Sequence, residues 1–162
     1  MKDQGKTISI GLNPKERAGV VTLLQTLLAD EYVLYTKTRK FHWNVTGTSF
    51  MEFHKLFESQ YEALDDNIDD VAERIRSLGE ESGGTLKEFL GSTRLKEQPG
   101  KNPAPLAMIA LLLEDHETII RCLRADLETA QEKYHDAGTA DFLTGLMEGH
   151  EKTAWMLRSY LQ

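Results

Sequence analysis

A glycine-, serine- and proline-rich stretch, residues 79 to 105, lies in the middle of a sequence that otherwise reads as helix. One apolar island, Leu86 to Leu90, interrupts it and is long enough for a short helix within a long connection. Before the stretch, Asn13-Pro14-Lys15-Glu16 supplies an N-cap, a proline at the first helical position and a capping-box glutamate, and the pattern runs to about Trp43. Thr46-Gly47-Thr48-Ser49 breaks that helix, and Ser49 with Glu52 predicts the start of a second, ending near Leu78-Gly79. After the stretch, a third helix is expected from about Pro103 to Lys133 and a fourth from about Thr139 to Leu161. No sustained apolar/polar alternation predicts a strand. The expectation is an all-α four-helix bundle over 13–162, with a short extra helix in its long crossover and a flexible tail over 1–12.

The 162 residues suffice for one hydrophobic core, and no apolar run approaches the roughly 18 residues that span a bilayer. MKDQGKTISIGLNP contains no apolar stretch of signal-peptide length, and the lone Cys122 cannot close an internal disulfide, so a cytoplasmic location is expected. With 26 acidic residues against 19 basic and a formal charge of −7, the surface should attract cations and repel nucleic acid.

The second helix carries the chemical signal. Phe50, Phe53, Phe57, Tyr61, Leu64, Ile68, Val71, Ile75 and Leu78 form a core-facing stripe, and shifted by one residue runs a line of His54, Glu58, Glu62, Asp65, Asp69 and Glu73. The two lines stand about 100° apart around the axis, so the second borders the core. A solvated flank is the ordinary reading of such a line, above all for Asp69 and Glu73. His42, at the end of the first helix beside the tight turn, must return close to His54. Two imidazoles and the Glu58 carboxylate then meet, a donor set suited to iron, zinc or manganese. Asp69 lies eleven residues beyond Glu58, roughly 16 Å along a straight helix, so the two cannot share an ion within one chain. If all five are ligands, an antiparallel two-fold pairing of second helices is required, with two identical sites per dimer.

His42-Trp43-Asn44-Val45-Thr46-Gly47, followed by Phe53-His54-Lys55-Leu56-Phe57-Glu58, resembles the first signature of the Dps family, the miniferritins, and Ile68-Asp69-Asp70-Val71-Ala72-Glu73-Arg74-Ile75 resembles its second. Gly138-Thr139-Ala140-Asp141 and the segment from His150 to Leu157 are similar to its last helix, so the likeness spans nearly the whole chain. It implies a ferritin-like bundle and an iron-oxidising site made by His42, His54 and Glu58 of one subunit with Asp69 and Glu73 of its two-fold mate. It further implies a hollow homododecamer that takes up Fe²⁺, oxidises it mainly with hydrogen peroxide and stores the ferric mineral. Trp43 matches a tryptophan that the family is thought to use as an electron relay, although a packing tryptophan is an equal reading. Asp136 and Asp141 match the region lining the family's iron-admitting pore, and Asp141 reads equally as a first-turn residue favoured by the helix dipole. The sequence departs from the family at Glu58, where Asp is usual, and at Phe53, where Leu or Val is usual.

His116 and His150 fall on the apolar seams of the third and fourth helices and are expected to be hydrogen-bonded core histidines. A site inside one bundle calls for two Glu-x-x-His motifs, and only Glu132-Lys133-Tyr134-His135 fits. Two other functions compete with iron oxidation. One is non-specific DNA binding with nucleoid association, which is not expected to be firm because the residues before Asn13 carry only Lys2 and Lys6 against Asp3. The other is a metal-free structural bundle, in which the ligand line is a solvated flank.

Overall fold

In the computed structural model, which describes residues 8–162, all regular structure is helical. Asn13 caps α1 (Pro14–Asn44): its side chain accepts from the Lys15 and Glu16 amides at 2.9 and 3.0 Å, while the Glu16 carboxylate returns to the Asn13 amide at 2.8 Å. That reciprocal box satisfies donors that a helix start otherwise leaves unpaired. Helix α2 (Phe50–Ser77) follows a tight turn in which Gly47 takes φ +114°, a left-handed region that suits glycine. Ser49 precedes α2 without capping it, contrary to the expected box with Glu52; its φ and ψ of −97° and 26° are not the extended conformation that aims a cap hydroxyl at the third amide.

The crossover contains α3 (Leu86–Ser92), opened by a Thr85/Glu88 capping box. Helix α4 (Pro105–Glu128) then leads into a π-helical turn, Thr129–Lys133, and α5 (Ala137–Ser159) completes the chain. The expected third helix was thus right in extent but widens at its end, and the last helix begins two residues early. Asp136 caps that start, its carboxylate accepting from the Thr139 amide at 2.9 Å and from the Thr139 hydroxyl at 2.6 Å.

The long helices pair as α1 with α2 and α4 with α5, closing on a core that includes Leu24, Leu34, Phe57, Ile75, Leu112 and Ile119. The α2 stripe faces inward except at its first member: Phe50 is 41% exposed because α1 has already ended at Asn44 and no helix faces it. Glycine at 79, φ +94°, ends α2, and a Cβ there would fall 1.8 Å from the Ile8 Cδ1. Of the expected tail, residues 1–7 lie outside the described residues; Ile8 packs on Gly79 and its carbonyl accepts from the Arg17 guanidinium at 3.2 Å.

The crossover is held by polar side chains of α1. Asp30, fully buried, accepts from the Thr93 hydroxyl at 2.9 Å, the Arg94 amide at 2.6 Å and the Arg94 Nε at 2.7 Å. Gln25 bonds the Glu81 carbonyl and the Gly83 amide, while Lys37 and Lys40 donate to the carbonyls of Lys96, Gln98 and Lys101. Lys37 also pairs with Asp115 of α4 in a nearly dry site, where burial pushes the Asp115 carboxyl up and the lysine only partly opposes it. No helix is long and apolar enough to cross a membrane among the described residues.

Phe57 is fully buried at the centre of this packing. Phe57→Ala is expected to cost about 3–5 kcal/mol, read by chemical denaturation at matched protein concentration.

Candidate metal centre

The turn between α1 and α2 brings His42 and His54 face to face, with ring centroids 3.7 Å apart and planes 22° from parallel. His42 Nδ1 lies 2.8 Å from the His54 carbonyl, and His54 Nδ1 lies 2.9 Å from the His42 carbonyl. A carbonyl oxygen only accepts, so both Nδ1 atoms carry the proton. Each neutral ring is therefore fixed as the tautomer whose Nε2 lone pair is free for a metal ion. The His42 carbonyl is also one of the acceptors that the end of α1 leaves unpaired, so the same bond finishes the helix.

Glu58 stands one turn beyond His54 on α2 and is half-buried. The Lys55 ammonium bonds its carboxylate and, with the two imidazoles nearby, holds the Glu58 carboxyl below the usual carboxylate range. It stays ionised and ready to ligate, but a cation must displace Lys55. Tyr61 presents its edge to His42 at 5.2 Å and 80°, and the Arg39 guanidinium lies 4.9 Å over the Tyr61 ring and 5.3 Å over Trp43. Trp43 is 64% exposed, so within a single chain it is not a core tryptophan.

Asp69 and Glu73 are exposed further along α2, on the same line as Glu58 and well beyond its reach. Among the described residues, no three His, Cys, Asp or Glu side chains converge on one point. Of the five expected ligands, His42 and His54 are brought together, Glu58 stands one turn away with its carboxylate on Lys55, and Asp69 and Glu73 lie apart. Asp136 is 5% exposed and spends its carboxylate on capping α5 and on Arg74 at 3.3 Å, whereas Asp141 is exposed one turn into α5. Sequence reasoning missed Tyr61 and the carbonyl contacts of the two imidazoles. A tyrosine at helical spacing reads as core, and carbonyl acceptors leave no trace in residue identity.

Residues 21–162 match the profile of the ferritin-like domain family, named Ferritin. DNA protection during starvation protein 2 of Bacillus anthracis is 36% identical over 142 residues, covering 88% of this chain and 96% of that protein. The chain belongs to the Dps family. Among solved structures, DpsC from Streptomyces coelicolor superposes on this Dps-family chain with a TM-score of 0.92 at 28% identity, covering 97% of this chain and 91% of that one. The Dps protein from Vibrio cholerae O1, described as a member of a broad superfamily of ferritin-like diiron-carboxylate proteins, matches with a TM-score of 0.90 at 29% identity, over 96% and 97% of the two chains.

The Lys55 contact gives this half-site a measurable signature. Lys55→Met removes a cation that competes for Glu58, and anaerobic Fe²⁺ titration of the variant is expected to show affinity raised by about two- to fivefold.

Proposed function

We propose that this protein is a miniferritin that binds Fe²⁺ between two of its subunits and oxidises it with hydrogen peroxide. The observation that carries the reading is the reciprocal pair of imidazole-to-carbonyl bonds, which leaves two Nε2 lone pairs beside an ionised Glu58. Iron is the substrate here, and the diiron-carboxylate description of the Vibrio cholerae relative favours it over zinc. Asp69 and Glu73 of a two-fold mate complete the ligand set, since they lie roughly 16 and roughly 22 Å beyond Glu58 along α2, out of reach within the same chain.

In this reading the chain's own groups bind and orient the iron. His42 and His54 supply neutral nitrogen donors whose protons are already placed, and Glu58, Asp69 and Glu73 supply the negative charge that balances Fe²⁺ and its oxidised product. Two Fe²⁺, one H₂O₂ and two H₂O give two FeOOH and four protons, so the peroxide is reduced by two electrons without one-electron release of hydroxyl radical. Trp43, exposed beside the site and in contact with Arg39, is positioned to supply an electron when only one Fe²⁺ is bound. Asp141 is assigned to a cation-admitting pore of a hollow dodecamer, and Asp136 to the cap that sets its helix. The relatives' name includes DNA protection, but a formal charge of −7 opposes firm contact with phosphates. At physiological salt, no stable gel shift is expected.

The direct test is anaerobic Fe²⁺ loading followed by peroxide. The His42→Ala, His54→Ala double variant is expected to lose rapid oxidation, and equal rates in the two proteins would remove the assigned site. Mixing tests the shared site separately. A chain carrying His42→Ala and His54→Ala, co-assembled with one carrying Asp69→Ala and Glu73→Ala, rebuilds one intact site in each mixed dimer. Random pairing then restores about a quarter of the sites, whereas ligands confined to one chain restore none.

A further inference from the structure

Two tyrosines and a tryptophan surround one cation beside the proposed iron site, and a third tyrosine continues the line. Tyr32, Tyr35, Arg39 and Trp43 follow one another on α1 at spacings of three, four and four, so they share one face of the helix. Tyr61 of α2 packs against that face. The Arg39 guanidinium carbon lies 4.9 Å from the Tyr61 ring centre, 5.3 Å from that of Trp43 and 5.5 Å from that of Tyr35, and its Nη1 donates to the Tyr35 hydroxyl at 2.6 Å. Behind the cation the rings meet one another: Tyr61 stands edge-on to Tyr35 at 6.2 Å and 88°, and Tyr35 meets Tyr32 at 5.9 Å and 52°. Tyr32 stacks on Phe89 of α3 at 4.4 Å, and there the line of oxidisable rings ends.

A guanidinium is attracted by the electron-rich face of a ring, so removing an electron from a ring held against it is opposed. The opposition is larger for an indole, whose oxidation passes through a positively charged ring. It is smaller for a phenol, which sheds its hydroxyl proton as the electron leaves and ends as a neutral radical. Arg39 therefore disfavours an electron vacancy on Trp43 more than one on Tyr61 or Tyr35. Tyr35 has a further advantage: its oxygen already accepts from Arg39 and keeps that bond after its own proton has gone. Trp43 is 64% exposed, whereas the three tyrosines are half-buried, so inward transfer also carries the vacancy away from solvent.

We propose that Tyr61, Tyr35 and Tyr32 form an electron relay that refills Trp43 after it has given up an electron. The step is Trp• + Tyr–OH → Trp–H + Tyr–O•. The tryptophanyl radical gains one electron, and one proton at its indole nitrogen; the tyrosine loses one of each, and both protons are exchanged with water. No other oxidant or reductant enters. Tyr35 stands about two helical turns from Trp43, so Tyr61, the ring nearest the guanidinium and in contact with Tyr35, is the first donor. Tyr35 and then Tyr32 refill Tyr61 through ring contact. The oxidising equivalent thereby leaves the neighbourhood of His42, against whose ring Tyr61 stands, for the contact between α1 and α3. The inference rests on the reading of Trp43 as an electron donor.

The test uses iron-free protein, so its outcome is separate from that of the iron-oxidation assay. In a Trp155→Phe background, Trp43 is the one tryptophan left. Pulse radiolysis with azide radical, which takes an electron from indole in preference to phenol, is expected to give the tryptophanyl absorption. That absorption should then decay into the tyrosyl one at a rate independent of protein concentration, as transfer within one chain requires. Tyr61→Phe keeps the ring against Arg39 and removes the oxidisable hydroxyl; it should slow the decay by about tenfold or more. Tyr35→Phe should leave the first step in place and hold the radical on Tyr61, which changes the tyrosyl signal in electron paramagnetic resonance. A tryptophanyl radical that does not pass to tyrosine in the Trp155→Phe protein overturns the proposal. So does a decay unchanged by Tyr61→Phe, or a tyrosyl signal unchanged by Tyr35→Phe. The first of these criteria leaves the relay itself unaltered, so a poorly folding relay variant cannot obscure the result.

Discussion

The fold hangs on the buried carboxylate of Asp30. A crossover as long as the one between α2 and α4 has little apolar material of its own, and its backbone amides and carbonyls must find partners to be held against a bundle. Asp30 offers both oxygens to Thr93 and Arg94, and Arg94 continues to Asp126 of α4 at 2.9 Å, so one ion network ties the connection to both helix pairs. Gln25, Lys37 and Lys40 repeat the arrangement along α1, each bonding crossover backbone. Helix α1 is therefore a spine wrapped on several sides: α2 on one flank, α3 and the crossover on another, α4 on a third. That fixes where Pro105 starts α4 and hence the antiparallel setting of the second pair. Removing one partner of such a dry pair is costly because the other charge stays buried.

These contacts also explain what the sequence did and did not disclose. Helix number, order and most boundaries were legible because caps and breakers are local chemistry: Asn13 with Glu16, Thr85 with Glu88 and the glycines at 47 and 79 each act within a few residues. The failures were of two kinds. Ser49 had the right identity for a cap, yet the backbone of the tight turn denies it the extended conformation. Asp30, Glu31 and Lys37 are charged helix residues that are nonetheless buried, because their partners Arg94, His150 and Asp115 lie on distant segments of the chain. Periodicity cannot register a partner that is distant in sequence.

For the candidate metal centre, helix rise alone separates Asp69 from Glu58; in the structure His54 and Glu58 are half-buried, while Asp69 and Glu73 are exposed. The choice of candidate ligands came from family spacing and not from physics, since an acidic line on a helix is ordinarily a flank. What neither supplied is preorganisation. The stacking of His42 on His54 and the reciprocal donation from each Nδ1–H to the other's carbonyl depend on the turn closing to within hydrogen-bond length. A histidine pair twelve residues apart has many geometries, and only the folded turn selects this one.

The two histidine pairs of the molecule obey one rule and differ in one respect. In each, an imidazole has one nitrogen settled by a neighbour, and that decides what the other nitrogen offers. For His42 and His54 the neighbour is a peptide carbonyl, which never takes a proton, so the rings are locked and Nε2 is a lone pair at any pH where the imidazole is neutral. For His116 and His150 the neighbours are each other and the Glu31 carboxylate, groups of three different helices, so the pair is held by the bundle interior and not by a turn. At the proposed iron site, carbonyl locking keeps both Nε2 lone pairs ready for an ion arriving from solvent.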